Sequence, residues 1–169
     1  MAAHIFTGSG APASTPLGVG HHYIDTTNDI AYISTGTASS ADWKLQTSGQ
    51  ALKNVVFIID GGGSTITTGI KGSFSLDFAC TILQATLLAD QSGSIVIDIW
   101  KDTFANFPND NSNSITASAP PTISASTKSL DSTLTGWTTS VAAGDTFTIN
   151  VDSVTSIQKV TLILKVLRS

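Results

Sequence analysis

The sequence predicts an all-β protein: a jelly-roll-like antiparallel β-sandwich over residues 51–169, preceded by an N-terminal arm and β-hairpin within residues 1–50. Three observations carry that expectation. From residue 52 onward apolar residues recur at a period of two, the spacing of a strand with one face in the core. Ser and Thr make up roughly a quarter of the chain while only 12% of residues are charged, so the polar faces are built from hydroxyls that suit strands. No stretch shows the 3.6-residue spacing of an amphipathic helix. With 41% hydrophobic residues and a mean hydropathy of +0.21, the chain is too apolar for disorder. Its 169 residues suffice for one domain with a real core and a small appendage.

Taken in order, residues 7–20, TGSGAPASTPLGVG, are almost all Gly, Ala, Pro, Ser and Thr. Such a segment has little to bury and is expected to be mobile alone, so order there implies a partner surface. In HHYIDTTNDIAYISTG, residues 21–36, the runs Tyr23-Ile24-Asp25 and Ile30-Ala31-Tyr32-Ile33 flank a Thr-Thr-Asn-Asp turn and predict a hairpin. Asp42-Trp43-Lys44-Leu45 closes the region, and so small a hairpin needs a neighbour to pack on. Residues 47–51, TSGQA, read as a linker.

Val55 to Ile59 is an unbroken apolar run, which predicts a strand buried on both faces. In GSFSLDFACTI, Phe74, Leu76, Phe78, Cys80 and Ile82 share one face and leave the other to Ser73, Ser75, Asp77, Ala79 and Thr81. Ile82–Leu88 and Ser94–Trp100 read as two strands separated by a turn at Ala-Asp-Gln-Ser-Gly. Pro108 and the NDNSN cluster predict a long loop over 102–114, with one helical turn at Thr103–Phe107. Weaker strands are expected at 114–117 and 123–129. Phe147, Ile149 and Val151 point inward from the next strand, and Leu162-Ile163-Leu164 predicts a last strand covered on both faces.

The stretch FIIDGGGSTITTG, residues 57–69, followed by Lys71, has the flavour of a phosphate loop but not its spacing. Such a loop needs Gly, four residues, Gly, Lys and then Ser or Thr opening a helix. Here five residues separate Gly63 from Gly69, Ile70 precedes Lys71, and a strand follows. The glycines make a corner.

A net charge of −4 with eight scattered Lys and Arg leaves no basic stripe for nucleic acid. Cys80 is the single cysteine, so no intrachain disulfide is expected, and it sits on an apolar face with no cation to lower its pKa. MAAHIFTGSGAPAS shows no signal-peptide pattern, and no run approaches the ~18 apolar residues of a membrane span. His21 and His22 are adjacent on a strand and point to opposite faces, so neither they nor His4 predict a metal site. No nucleophile elbow or paired carboxylates stand out; catalytic residues and cofactors are expected to be none. Asp98 and Trp100, two apart on one face, admit two readings: a buried Trp paired with an Asp, or a sugar contact by stacking and hydrogen bonding. Trp137 reads as an anchor plugging one end of the sandwich.

GVGHHYIDTTNDIAYISTGTASSADWKL resembles short Gly-x-x-Tyr-x-Asp…Tyr-x-Ser-x-Gly…Trp segments near the N-termini of tailed-bacteriophage fibre and appendage proteins. FIIDGGGSTITTGIKGSFSLDFACTILQATLLADQSGSIVIDIWKDTFANFP and LTGWTTSVAAGDTFTINVDSVTSIQKVTLILKV are similar to a β-rich module of phage virion proteins. Together these stretches span most of residues 18–167. The resemblance implies a structural or adhesive protein, often trimeric, exposed on the virion surface after assembly in the host bacterial cytoplasm. The short chain favours a homotrimeric capsid decoration or head-fibre protein, anchored to the major capsid protein or another virion protein through residues 1–45. Phe6, Leu17, Tyr23, Ile24, Tyr32, Ile33 and Trp43 are the expected anchor residues. The alternative is a tail-fibre adhesin that binds host surface carbohydrate through Asp98, Trp100, Trp137 and the 105–113 loop. A polysaccharide-degrading enzyme is the remaining rival.

Overall fold

The computed structural model describes residues 4–46 and 51–168, which divide into two compact units, Met1–Gly49 and Gln50–Ser169. The expected linker at 47–51 lies, except for Ala51, outside the described residues. Both units are built from strands with only short 3-10 turns between them.

The N-terminal unit is a four-stranded sheet in the order β1 (Ile5–Gly8), β2 (His22–Asp25), β3 (Ile30–Ser34), β4 (Trp43–Leu45). The β2–β3 hairpin closes because Asp25 accepts the backbone N–H of Thr27 and Asn28 on Oδ1 and the Asn28 amide on Oδ2. A 3-10 turn at Ser40–Asp42 leads into β4, closed by a reciprocal capping box between Ser39 and Asp42. Strand β1, absent from the sequence expectation, runs parallel to β2. Parallel neighbours require a crossover, and residues 9–20 supply it as a strap across one sheet face.

The strap corrects the expectation that this segment takes its order from another molecule. Pro12 and Pro16 are buried in it. Gly10 N–H donates to Asp25 Oδ1 (2.8 Å), Trp43 Nε1 donates to the Ser14 carbonyl (2.9 Å), and Ser34 Oγ donates to the Gly18 carbonyl. The small residues that looked unable to fold are what lets the chain lie close over a face carrying His21, Tyr23, Tyr32 and Trp43. A Cβ on Gly18 would come within 2.7 Å of His21 Nε2.

The C-terminal unit contains β5 (Leu52–Asp60), β6 (Gly69–Ser75), β7 (Cys80–Asp102), β8 (Thr122–Asp131), β9 (Ser140–Val141), β10 (Thr146–Thr155) and β11 (Lys159–Arg168), all paired antiparallel. Strand β7 is continuous over 23 residues, where two strands and a turn were expected. Its first half pairs with β11 and its second half with β10. β8 likewise runs along both halves, from Val96↔Thr122 to Ala85↔Asp131. One sheet is therefore β5–β11–β7–β8 and the other β6–β10–β7–β8, each chain segment passing from one to the other. That winding is a jelly roll.

The crossing points line up. β5 and β6 are separated by residues 61–68, β10 and β11 by residues 156–158 with Ser156 at φ 70°, and β7 bends near Asp90–Gly93. The polar residues of ADQSG do not reverse the chain but tie the corner. Asp90 Oδ1 accepts the backbone N–H of Gln158 and Lys159, and the Gln91 amide donates to the Ser156 carbonyl. Gly93 is required by closeness: an added Cβ would strike the Thr155 carbonyl and lie 2.7 Å from Ile157 Cγ1. The glycine corner works similarly. Asp60 Oδ1 accepts Gly62 N–H, a Cβ on Gly61 would strike the Ser64 carbonyl, and Lys71 Nζ donates back to Thr67 and Thr68.

Folding the long strands over brings both inner faces into one core. Leu87, Ile95, Ile97, Ile99, Phe147, Ile149, Val151, Ile157, Val160, Leu162, Leu164 and Val166 are buried there. Phe74 stacks on Phe147 at 5.2 Å. Leu76, Phe78 and Cys80 keep the expected period toward the core even though the strand breaks at 76–79. Only an isolated bridge, Trp100↔Ser114, stands where a weak strand at 114–117 was expected, and a 3-10 turn at Phe104–Asn106 occupies the expected helical turn.

Two burial expectations are corrected. β5 is an edge strand whose run Val55–Ile59 is covered on one face only, with Val56 and Ile58 exposed. β11 buries Val160, Leu162, Leu164 and Val166, whereas Ile163 and Leu167 face outward and are half-buried.

Candidate functional site

The seven expected anchor residues separate into three groups. Phe6, Tyr23 and Tyr32 are cross-strand partners and so share the strap-covered face, with Trp43 beside them by period. Tyr23 lies 6.3 Å from Tyr32 and 5.8 Å from Trp43, ring centroid to ring centroid. Trp43, Pro12 and Pro16 are buried under the strap, and Phe6, Tyr23 and Tyr32 are half-buried beside them. Leu17 stands on the strap, 79% exposed, at the lip of an open groove of about 340 Å³ between the strap and Phe6, Tyr23 and Trp43. Ile24 and Ile33 point to the opposite face, in rows with Ile5 and Ala31 (Ile5–His22–Ile33 and Thr7–Ile24–Ala31), where Ile5 and Ile24 are exposed and Ala31 and Ile33 half-buried.

His21 is buried, its ring edge-on to His4 at 4.9 Å, with Nδ1 lacking a partner. His22 projects from the other face. Among the described residues no cluster of three or more His, Cys or Asp is arranged to hold a metal ion.

Asp98 and Trp100 form the paired arrangement of the two readings. Trp100 Nε1 donates to Asp98 Oδ2 at 2.8 Å. Oδ1 accepts Ile99 N–H (2.8 Å), Ser114 Oγ (2.7 Å) and Thr116 Oγ1 (2.6 Å). Both side chains are buried, so the carboxylate's acceptor capacity is taken up internally. This network pins the 103–121 loop to β7, helped by Asn109, whose Nδ2 donates to the Thr146 carbonyl, and by Asn113, which donates to Asp102. Trp137 is buried in the core cluster with Nε1 on the Ala119 carbonyl. None of the three offers a free aromatic face to a sugar.

Nearby, Lys101 and Asp145 form a largely buried ion pair at 2.8 Å. Burial pushes the Cys80 thiol pKa up, and the Asp145 carboxylate adds to the rise, so this sulfur is a core group and not a nucleophile.

Two further surfaces stand out, the first of them including Phe107 of the 105–113 loop that the adhesin alternative named. One is a cleft of about 200 Å³ between Phe104 and Phe107, which are 76% and 48% exposed, over Ser73, Phe74, Ser75 and Thr146. The other is the outer face of the β5–β11–β7–β8 sheet. Registered pairing aligns Val56, Ile163, Thr86 and Leu130 in one row and Ile58, Thr161, Leu88 and Lys128 in the next. Val56, Ile58, Leu88 and Leu130 are 55%, 61%, 46% and 62% exposed. Single exposed aliphatics are ordinary; adjoining rows of them form a continuous apolar patch. The signal was present as the runs Val55–Ile59 and Leu162–Leu164, which periodicity alone assigns to burial without saying against what.

Among the described residues, no helix is long and apolar enough to cross a membrane. No protein-family model matches the chain, and no curated protein matches it. A structural comparison pairs it with a chain of infectious bursal disease virus, Gx strain, at 12% identity and a TM-score of 0.21, covering 93% of this chain and 48% of that one. The chain thus spans about half the length of the viral chain, and a likeness at that score carries no argument about fold or function.

Proposed function

We propose that this chain is a non-enzymatic structural protein of a tailed-phage virion, a homotrimeric capsid decoration or head-fibre protein displayed on the particle surface. The N-terminal unit attaches it to the major capsid protein or another virion protein, and the jelly roll forms the displayed body. One observation carries the reading: each unit has aliphatic side chains on one sheet face that are exposed or half-buried. In the N-terminal unit that face holds Ile5, Ile24, Ala31 and Ile33; in the jelly roll it holds Val56, Ile58, Leu88 and Leu130. Apolar area left in water is the raw material of assembly. The resemblance of residues 18–167 to phage appendage proteins and the jelly-roll winding, common in capsid domains, point the same way as analogies.

The attachment mechanism differs from a threaded tether. A folded unit presents a preformed face, so binding orders little additional chain. The test is co-sedimentation with phage particles stripped of the protein. The full chain should pellet with them, and Ile24→Asp with Ile33→Asp should not, while both remain folded. Undiminished pelleting of the double variant would remove the N-terminal face from the attachment role.

A second reading, a carbohydrate-binding adhesin, is favoured by the Phe104–Phe107 cleft, whose exposed rings stand beside the exposed Ser75. Saturable binding on a glycan array, abolished by Phe104→Ala without unfolding, would select it.

A further inference from the structure

We infer that the outer face of the β5–β11–β7–β8 sheet is where one copy of this chain packs against another. The inference rests on the self-association in the proposed function and adds its location. The two central rows bring Val56, Ile58, Ile163, Leu88 and Leu130 onto one surface, with Thr86 and Thr161 between them. Leu52 extends the same face along β5, opposite Leu167 of β11. Four aliphatics of the two central rows are about half exposed or more, which leaves on the order of 400 Å² of apolar surface in one patch, within the size range of patches that are often functional. With its polar margin the patch approaches the ~800 Å² per partner of a stable protein–protein contact.

Charge selects the occupant. Around a rotation axis, residues beside the axis meet their own copies, so a self-associating face cannot carry concentrated charge without like-charge repulsion. The two central rows hold one charged residue, Lys128, at the β8 margin. The other ionic groups of this face flank the two rows: Lys165, between Asn54 and Gln84, on one side, and Asp60 paired to Lys159 at 2.8 Å, with Asp90 held by backbone N–H groups, on the other. Charge on this face is thus confined to its margins, and the rows through which copies would meet are apolar and hydroxyl-bearing. β5 is in addition a sheet edge of nine residues whose outer margin has no strand partner among the described residues.

Sedimentation velocity of the full chain at micromolar concentration tests this. The expected species has three times the 17.5 kDa mass of one chain. Val56→Lys and Ile58→Lys, both on exposed positions, should keep the monomer's circular dichroism and weaken association at least 100-fold. Ile24→Lys in the N-terminal unit should leave assembly unchanged. In a second arm, Ile58→Cys treated with a bis-maleimide should yield cross-linked copies, because Cys80 is buried. An assembled chain that ignores both lysine substitutions and does not cross-link through Ile58→Cys overturns the location but leaves the proposed self-association standing. A monomer at every concentration overturns both. A monomer that binds particles, and loses binding with Ile58→Lys, gives the face to a different protein and overturns the inference.

Discussion

The Asp98–Trp100 pair makes the structural argument measurable. Asp98 accepts four hydrogen bonds from Trp100, Ile99, Ser114 and Thr116, all between 2.6 and 2.8 Å, three of them buried and that from Ser114 partly so. Asp98→Asn keeps the shape but turns one oxygen into a donor. With three donors on Oδ1, the amide nitrogen is driven to the Oδ2 position, facing Trp100 Nε1 donor to donor. The loss is one hydrogen bond to a charged group plus a buried indole N–H left unpaired, about 3 kcal/mol in total. Trp100→Phe removes the same bond from the other side and should cost about 2 kcal/mol or more. Because both changes break one contact, the double variant should lose about 1–3 kcal/mol less than the sum of the singles. Urea unfolding followed by tryptophan fluorescence and circular dichroism gives each value, provided the m-value is unchanged. A cycle additive within about 0.5 kcal/mol, or an Asp98→Asn variant as stable as the parent, would refute the internal network and free the pair for a ligand.

Neighbouring residues on β7 should behave oppositely. Leu87→Ala should cost about 3–4 kcal/mol because Leu87 is completely buried, whereas Leu88→Ala, on the outer face, should stay within about 0.5 kcal/mol in the monomer. Gly93→Ala should destabilise by about 2 kcal/mol in thermal or urea unfolding, since the new methyl group meets backbone at the corner. Acid should destabilise the protein through its aspartates. Asp25 is held below its ordinary pKa chiefly by the Asn28 amide, Asp60 by Lys159, and Asp102 by Asn106, with Asp42 and Asp110 lowered by turn hydrogen bonds. A lowered folded-state value means these contributions are present above pH 3.8 and are lost as the pH falls through the folded values. Lys159 is raised above 10.5 by Asp60, so its contribution is lost only as the pH rises through that higher value. The thermal midpoint should be flat from about pH 5 to 9 and fall below about pH 4; a midpoint unchanged at pH 2.5 would contradict this.

The inner faces of the jelly roll were legible because period two states them directly: Phe147, Ile149 and Val151, then Leu162 and Leu164. Other features were hidden for specific reasons. The ADQSG stretch has the composition of a turn, and nothing local shows that Asp90 and Gln91 will spend their polar groups on residues 156–159 across the sheet. The strap was read as mobile because its order comes from hydrogen bonds to Asp25, Ser34 and Trp43 and from two buried prolines, none of which registers as apolar content. Val55–Ile59 was read as doubly covered because a continuous apolar run specifies burial without naming the cover. Trp100 and Asp98 were paired correctly by their i, i+2 spacing, but Ser114 and Thr116, which complete the network, arrive from a loop with no periodicity. The cleft at Phe104 and Phe107 depends on how that same loop lies over β6, which no local pattern encodes.

Electron microscopy of intact particles, compared with particles lacking this chain, tests the account most directly. The proposed function predicts difference density on the outer surface of the head, in groups of three copies, with the four-stranded N-terminal unit against the shell and the jelly roll outward. Density confined to the tail tip, or particles whose maps do not differ, would contradict it.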